Sequence, residues 1–261
     1  MGDEDLDGVK VALVMDTPGS RQRRGLSSLY GGSCRCINRR TILGGAAAIA
    51  AFPASAKHPL DPIAHALAAA GGQALLSRVR VIAWSGTARM MIGRTPVDLM
   101  VETRIEPFAR ARSDTWLTSE GRSATQTIMV ERDSAFLVHN GAQTSLPQPQ
   151  AYFERQKLAA YSYLLLAPAS LSPSGRRGIT AIRDGYPPIA LTLAPDGRIA
   201  SADYTLAGPP PNPPLVHQHL LFTGTVSALG IRFPRTTTIL QNGRPVLRMT
   251  ITDFSVELDP S

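Results

Sequence analysis

TPVDLMVETRIE, residues Thr95–Glu106, alternates without interruption in the kind of residue it offers to each side. Val97, Leu99, Val101 and Ile105 fall on one side, and Asp98, Glu102, Arg104 and Glu106 on the other. A period of two is the pleat of a β-strand with one face buried and one solvated. Segments 78–92, 109–118, 123–131 and 135–139 carry the same texture on either side of it. Together they predict a run of consecutive antiparallel strands.

Strand signals resume at 178–183, 189–193 and 199–206, with Pro195-Asp196-Gly197-Arg198 as a hairpin turn. Three long strands over 216–226, 231–240 and 245–258 finish the chain, the last two joined at Asn242-Gly243. The final strand changes phase: Leu247, Met249 and Ile251 share one parity, and Phe254, Val256 and Leu258 take the other. One extra residue near Asp253, a β-bulge, keeps both sets on one face, and bulges bend strands.

Two segments follow a helical pattern. Residues 61–78 open with Asp61 as N-cap and Pro62 at the first helical position, then run rich in Ala and Leu until Gly71-Gly72 interrupts them. Residues 148–166 form the second helix, whose end is apolar almost all round (Leu158, Tyr161, Leu164, Leu165) and must be covered. The proline-rich stretch before the last three strands reads as a stiff connector. Two helices and about ten strands give an α+β fold. Its sheet is antiparallel and strongly curved, a half-barrel, with the two helices covering part of the concave face.

Upstream of all this, Arg39-Arg40 precede an apolar, small-residue run that ends in Ala54-Ser55-Ala56. The run is too short for a membrane span, which needs about 20 apolar residues. The A-x-A triplet is the form that signal peptidase reads. The ensemble resembles a twin-arginine (Tat) export signal, with Asn38, Ile42 and Gly44 departing from the usual residues. That resemblance divides the chain into a 1–56 extension and signal, cleaved after Ala56, and a mature 57–261 domain in the periplasm. The Tat translocase is then a partner during export.

Both cysteines, Cys34 and Cys36, precede the cut, so the mature domain has no disulfide and no thiolate chemistry. It carries 20 Lys+Arg against 15 Asp+Glu, a formal +5, against +7 for the whole chain. The arginines are scattered, with no basic cluster interleaved with aromatic residues, which argues against nucleic acid as a partner. A mild positive charge allows transient contact with an anionic membrane surface.

Ile82-Ala83-Trp84-Ser85-Gly86-Thr87-Ala88, Arg104-Ile105-Glu106-Pro107-Phe108 leading to Trp116, and Ile231-Arg232-Phe233-Pro234 follow the order and texture of a known fold. On these residues the 57–261 domain resembles the LolA/LolB-like superfamily of periplasmic lipoprotein carriers. The resemblance implies a curved sheet around an apolar cavity lidded by helices, and an apolar small molecule or lipoprotein acyl chains as partner.

A curved sheet has more apolar concave surface than two helices cover, and the remainder is filled by side chains or open to a ligand. The candidate cavity residues are Trp84, Met90, Leu99 and Val101 on the first two strands and Trp116 and Met129 on the next two. Leu220, Phe222, Met249 and Ile251 follow on the last block. Methionine packs adaptably against ligands of varied shape.

The one metal-like spacing is His217-Gln218-His219, whose imidazoles share a face of a predicted strand. A third ligand would come from His139 or Asp253, and this reading makes a metal-dependent periplasmic enzyme the alternative. Two solvent-facing histidines are the simpler account, so no metal and no cofactor is assigned. No G-x-S-x-G, H-E-x-x-H, Walker or G-x-G-x-x-G motif occurs. The expectation is a non-catalytic carrier of a lipid, acyl chain or lipoprotein. A non-catalytic module that binds another envelope protein along a strand edge is the third possibility.

Overall fold

A computed structural model of the chain describes residues 61–208 and 215–260. The signal residues Arg39, Arg40, Ala54 and Ala56, the rest of 1–56, and connector residues 209–214 lie outside the described residues.

The helical signal at 61–78 becomes two helices, α1 (Pro62–Ala70) and α2 (Gln73–Leu76), divided at Gly71-Gly72. Six strands follow: β1 (Val79–Ile92), β2 (Thr95–Glu106), β3 (Arg110–Leu117), β4 (Gln126–Val130), β5 (Ala135–His139) and β6 (Ala142–Ser145). Helix α3 (Gln148–Tyr163) leads to β7 (Ser170–Pro173), β8 (Gly178–Ile182), β9 (Ile189–Leu193) and β10 (Ile199–Ala207). The last three are β11 (Leu215–Ala228), β12 (Ile231–Gln241) and β13 (Arg244–Leu258). The described residues thus hold three α-helices and thirteen strands rather than two and about ten. The two unpredicted strands, β6 and β7, are the edges of the sheet.

All thirteen strands form one antiparallel sheet in the order β6-β5-β4-β3-β2-β1-β13-β12-β11-β10-β9-β8-β7. Each half is a meander, and the two halves join where the first strand pairs with the last. At that seam Ser85 faces Asp253 and Gly86 faces Ile251, so Thr252 is the extra residue. The bulge lies one residue from its expected place and brings Phe254 and Val256 back to the side of Met249 and Ile251. Gly86 permits the close approach: a Cβ there would lie 2.1 Å from the Thr250 carbonyl oxygen.

The strand pairings place Ile82, Trp84, Gly86, Ala88 and Met90 of β1 beside Ile105, Thr103, Val101, Leu99 and Val97 of β2 on one face. Ile82, Ile105, Leu191, Leu220, Ile231 and Ile251 are almost completely buried there. Each such side chain contributes about 1.5–3 kcal/mol of transfer free energy.

Helix α3 connects one edge strand to the other and packs against β2, β4, β5 and β10. Its side chains fasten both meanders. Arg155 donates to the Arg132 carbonyl at 2.7 Å and to the Gly185 carbonyl at 3.0 Å. The Tyr163 hydroxyl donates to the Pro187 carbonyl at 3.0 Å, and Ser162 Oγ accepts from the Phe108 amide at 3.2 Å. Of the apolar end expected to be covered, Tyr161, Leu164 and Leu165 are buried and Leu158 is half-buried; Leu166, one residue further on, is buried as well.

Candidate functional site

Helix α1 begins where the sequence places it. The Asp61 carboxylate accepts from the Ile63 amide at 3.0 Å, and Pro62 occupies the first turn. Two glycines then hold the helix close to the sheet. Gly197, in the β9–β10 turn, leaves no room for a Cβ because His65 Cδ2 would lie 2.7 Å from it. Gly71, at a φ of 133°, ends the helix against the Gly230 carbonyl of the β11–β12 turn, 2.7 Å from where a Cβ would stand.

Between these anchors the α1 residues that line the space toward β10–β12 are Ala66, Ala69 and Ala70, and three methyl groups do not reach across the gap. A cavity of about 240 Å³ results, lined by those alanines with Leu164, Ile199, Phe222 and Phe233. Gly224, on the wall opposite, adds no side chain to fill it. Phe233 stacks on Trp84 at 5.8 Å between ring centroids and on Phe254 at 5.2 Å, and Tyr161 of α3 closes on Trp84 at 5.1 Å. An aromatic cluster thus backs the cavity. Burial pushes the Tyr161 hydroxyl up to about 12 and raises that of Tyr204 as well, so both stay neutral in the interior.

The sequence-derived candidates fall into three groups. Phe222 lines the cavity, and Trp84 touches it through Phe233. Met90, Leu99, Val101, Leu220, Met249 and Ile251 are buried on the Trp84 face but do not line this cavity. Trp116 and Met129 lie on the opposite face. Trp116 pairs across the sheet with Met100 and lies under the Arg122 guanidinium at 4.9 Å; Met129 sits between Arg112 and Phe136. Trp116 has the parity of Arg112 and Asp114 in β3, and Met129 lies directly across from Arg112 in β4.

Ala66, Ala69, Ala70, Gly224 and Leu164 were not expected at the site. Their signal was an alanine run, legible as helix propensity but not as a shortfall of volume.

The opposite face has a wider recess of about 420 Å³ at the bulge, open to solvent and lined by Ser85, Glu102, Arg104, Arg112, Asp114 and Asp253. Its charges are matched in pairs. Arg112 meets Asp114 at 3.0 Å, Arg104 meets Glu257 at 2.6 Å, and Ser85 Oγ donates to Asp253 at 3.0 Å. Trp84 and Phe254 are also among the residues that line it, and its charged groups are engaged with one another.

His217 and His219 share a strand face and converge on Asp203 of β10. His219 Nδ1 lies 2.6 Å and His217 Nε2 3.7 Å from Asp203 Oδ1. The carboxylate beside them is therefore Asp203. Asp253 belongs to the bulge, and His139 belongs to β5. Among the described residues no group of three His, Cys, Asp or Glu side chains is arranged to hold a metal ion.

No family model and no curated protein matches the sequence. Solved structures with a similar fold include a LolA superfamily protein from Nitrosomonas europaea, at 10% identity and a TM-score of 0.49 over 75% of this chain and 93% of that one. A DUF1329 family protein from Desulfovibrio piger is 9% identical with a TM-score of 0.48, over 77% of this chain and 95% of that one. A domain described for outer membrane lipoprotein sorting, from Vibrio parahaemolyticus, is 8% identical with a TM-score of 0.47, over 75% and 91%.

Proposed function

We propose that residues 57–261 form an exported, non-catalytic carrier that shelters the apolar part of a lipid, acyl chain or lipoprotein between α1 and strands β10–β12. The observation that carries this reading is the cavity kept open by three alanines opposite Phe222 and Phe233. Affinity comes from removing apolar surface from water, at about 25 cal/mol per Å² before the costs of association. Arg39-Arg40 and Ala54-Ser55-Ala56 support export by the Tat route to the periplasm, where such cargo needs shelter from water.

The reading includes a sheet curved into a half-barrel, with the helices on its concave side. Laid flat, thirteen strands about 4.8 Å apart would set β6 and β7 roughly 58 Å from each other. Helix α3, at 16 residues and about 1.5 Å each, spans about 24 Å. The chain after it turns back on itself, with Leu166 donating to the Tyr163 carbonyl and Ala169 to the Leu166 carbonyl, instead of extending. A bent sheet brings its two edges within that reach.

The test is to purify the 57–261 domain, extract it for mass spectrometry, and titrate it with a fluorescent fatty acid. Saturable uptake that is lost in Ala66→Phe supports the proposal. Absence of both co-purified lipid and saturable uptake overturns it.

A further inference from the structure

The cavity under α1 is apolar along its walls, but its charged lining residues are of one sign, Arg198 and Arg232. Both are exposed, so they stand where the cavity meets solvent. Arg232 reaches back over the helix end and donates through Nη1 to the Ala69 carbonyl at 3.4 Å, and it has no carboxylate partner among the described residues. Arg198 is held from the other side, with Nε on Asp196 Oδ2 at 2.6 Å and Nη1 on Thr225 Oγ1 at 3.1 Å. A guanidinium offers five N–H donors in a rigid fork, and most of those of Arg232 are unused.

Building on the carrier reading, we propose that the ligand is a single-chain anionic amphiphile. Its alkyl segment lies against Ala66, Ala69, Phe222 and Phe233, and its carboxylate or phosphate is held at the mouth by Arg232, with Arg198 beside it. The volume sets the chain count. About 240 Å³ falls below the roughly 300 Å³ at which pockets for drug-sized molecules begin, so one alkyl segment fits and a multi-chain lipid does not. The charge sets the headgroup: an anion gains charge-assisted hydrogen bonds from Arg232, a neutral alcohol gains ordinary ones, and a cation is repelled.

Calorimetric titration of the 57–261 domain with four probes of equal chain length tests this: decanoate, decyl phosphate, decanol and decyltrimethylammonium. Expected is binding of at least one anion, about tenfold or more tighter than decanol, and none of the ammonium. The two anions separate a carboxylate from a phosphate source. Raising salt from about 0.05 to 0.5 M weakens the anions and leaves decanol unchanged. Arg232→Met, which keeps the apolar stem, brings the preferred anion down to the affinity of decanol. Equal binding of decanol and both anions overturns the headgroup assignment and leaves the carrier reading standing. Failure of all four probes to bind overturns both.

Discussion

Helices α1 and α3 both lie between strands and solvent, yet they use opposite strategies. Helix α3 buries Phe153, Tyr161 and Tyr163, with Leu164 and Leu165 beyond its last turn, and is fastened at both sides by Arg155, Ser162 and Tyr163. Helix α1 buries two alanines and is held by close backbone approach at Gly197 and Gly71. One helix fills its space and the other keeps space open. Large side chains give stability where contact is complete, whereas small ones under a pinned helix leave volume that no neighbour can collapse into.

The largest expected effect breaks the filled side. Tyr163→Ala removes a buried ring and is expected to cost about 4 kcal/mol in urea unfolding, against about 1 for Tyr163→Phe, which loses only the bond to Pro187. Comparable small losses for the two variants would show that α3 does not clamp the sheet. Alkaline titration comes next. The Tyr161 hydroxyl is held up to about 12 by burial, against 10.0 when exposed. The unfolded chain therefore ionises first, so the Tyr161 contribution is intact below pH 10 and about 3 kcal/mol of it is lost as pH rises through and beyond 12. Tyr161→Phe should flatten that slope in denaturation curves across the range.

A smaller loss follows at a buried ion pair, on helix α3 where Tyr161 and Tyr163 also stand. Glu154 is 3% exposed and is paired with Lys157 at 2.9 Å. Lys157→Met strands that carboxylate and should cost about 2 kcal/mol, recovered in part by adding Glu154→Gln. The least effect on stability sharpens the other side of the comparison. Ala69→Leu fills open volume, so its melting shift should correspond to less than about 1 kcal/mol while fatty-acid uptake disappears. Retained uptake would place the ligand elsewhere.

Strands that bury one face announced themselves, some to the residue: Thr95–Glu106, Ala135–His139 and Ile189–Leu193 match their predicted limits. Edge strands β6 and β7 did not. AQTS is exposed throughout and SLSP nearly so, and a strand that buries nothing shows no alternation. The bulge was legible because a phase change leaves a trace in the pattern. Trp116 and Met129 were assigned to the cavity on hydrophobicity; parity with Arg112 and Asp114 already put Trp116 on the far face, whereas Met129 is placed only by the β3–β4 register. Asp203 could not be found beside His219 from spacing alone, because cross-strand register is fixed by turns and pairing far along the chain. The cavity was hidden for a related reason: a void depends on how closely a helix approaches a sheet, and two glycines decide that distance.

The seam between β1 and β13 has a consequence for how the molecule comes into being. Val79 lies opposite Leu258, so the middle of the sheet is built from the two ends of the domain's strand sequence. Each meander can zip locally, but uniting them means closing a loop nearly as long as the domain, a slow step that must await synthesis of β13. Loss of the last dozen residues would split the protein down its spine, where a similar loss at β6 or β7 would only trim a margin.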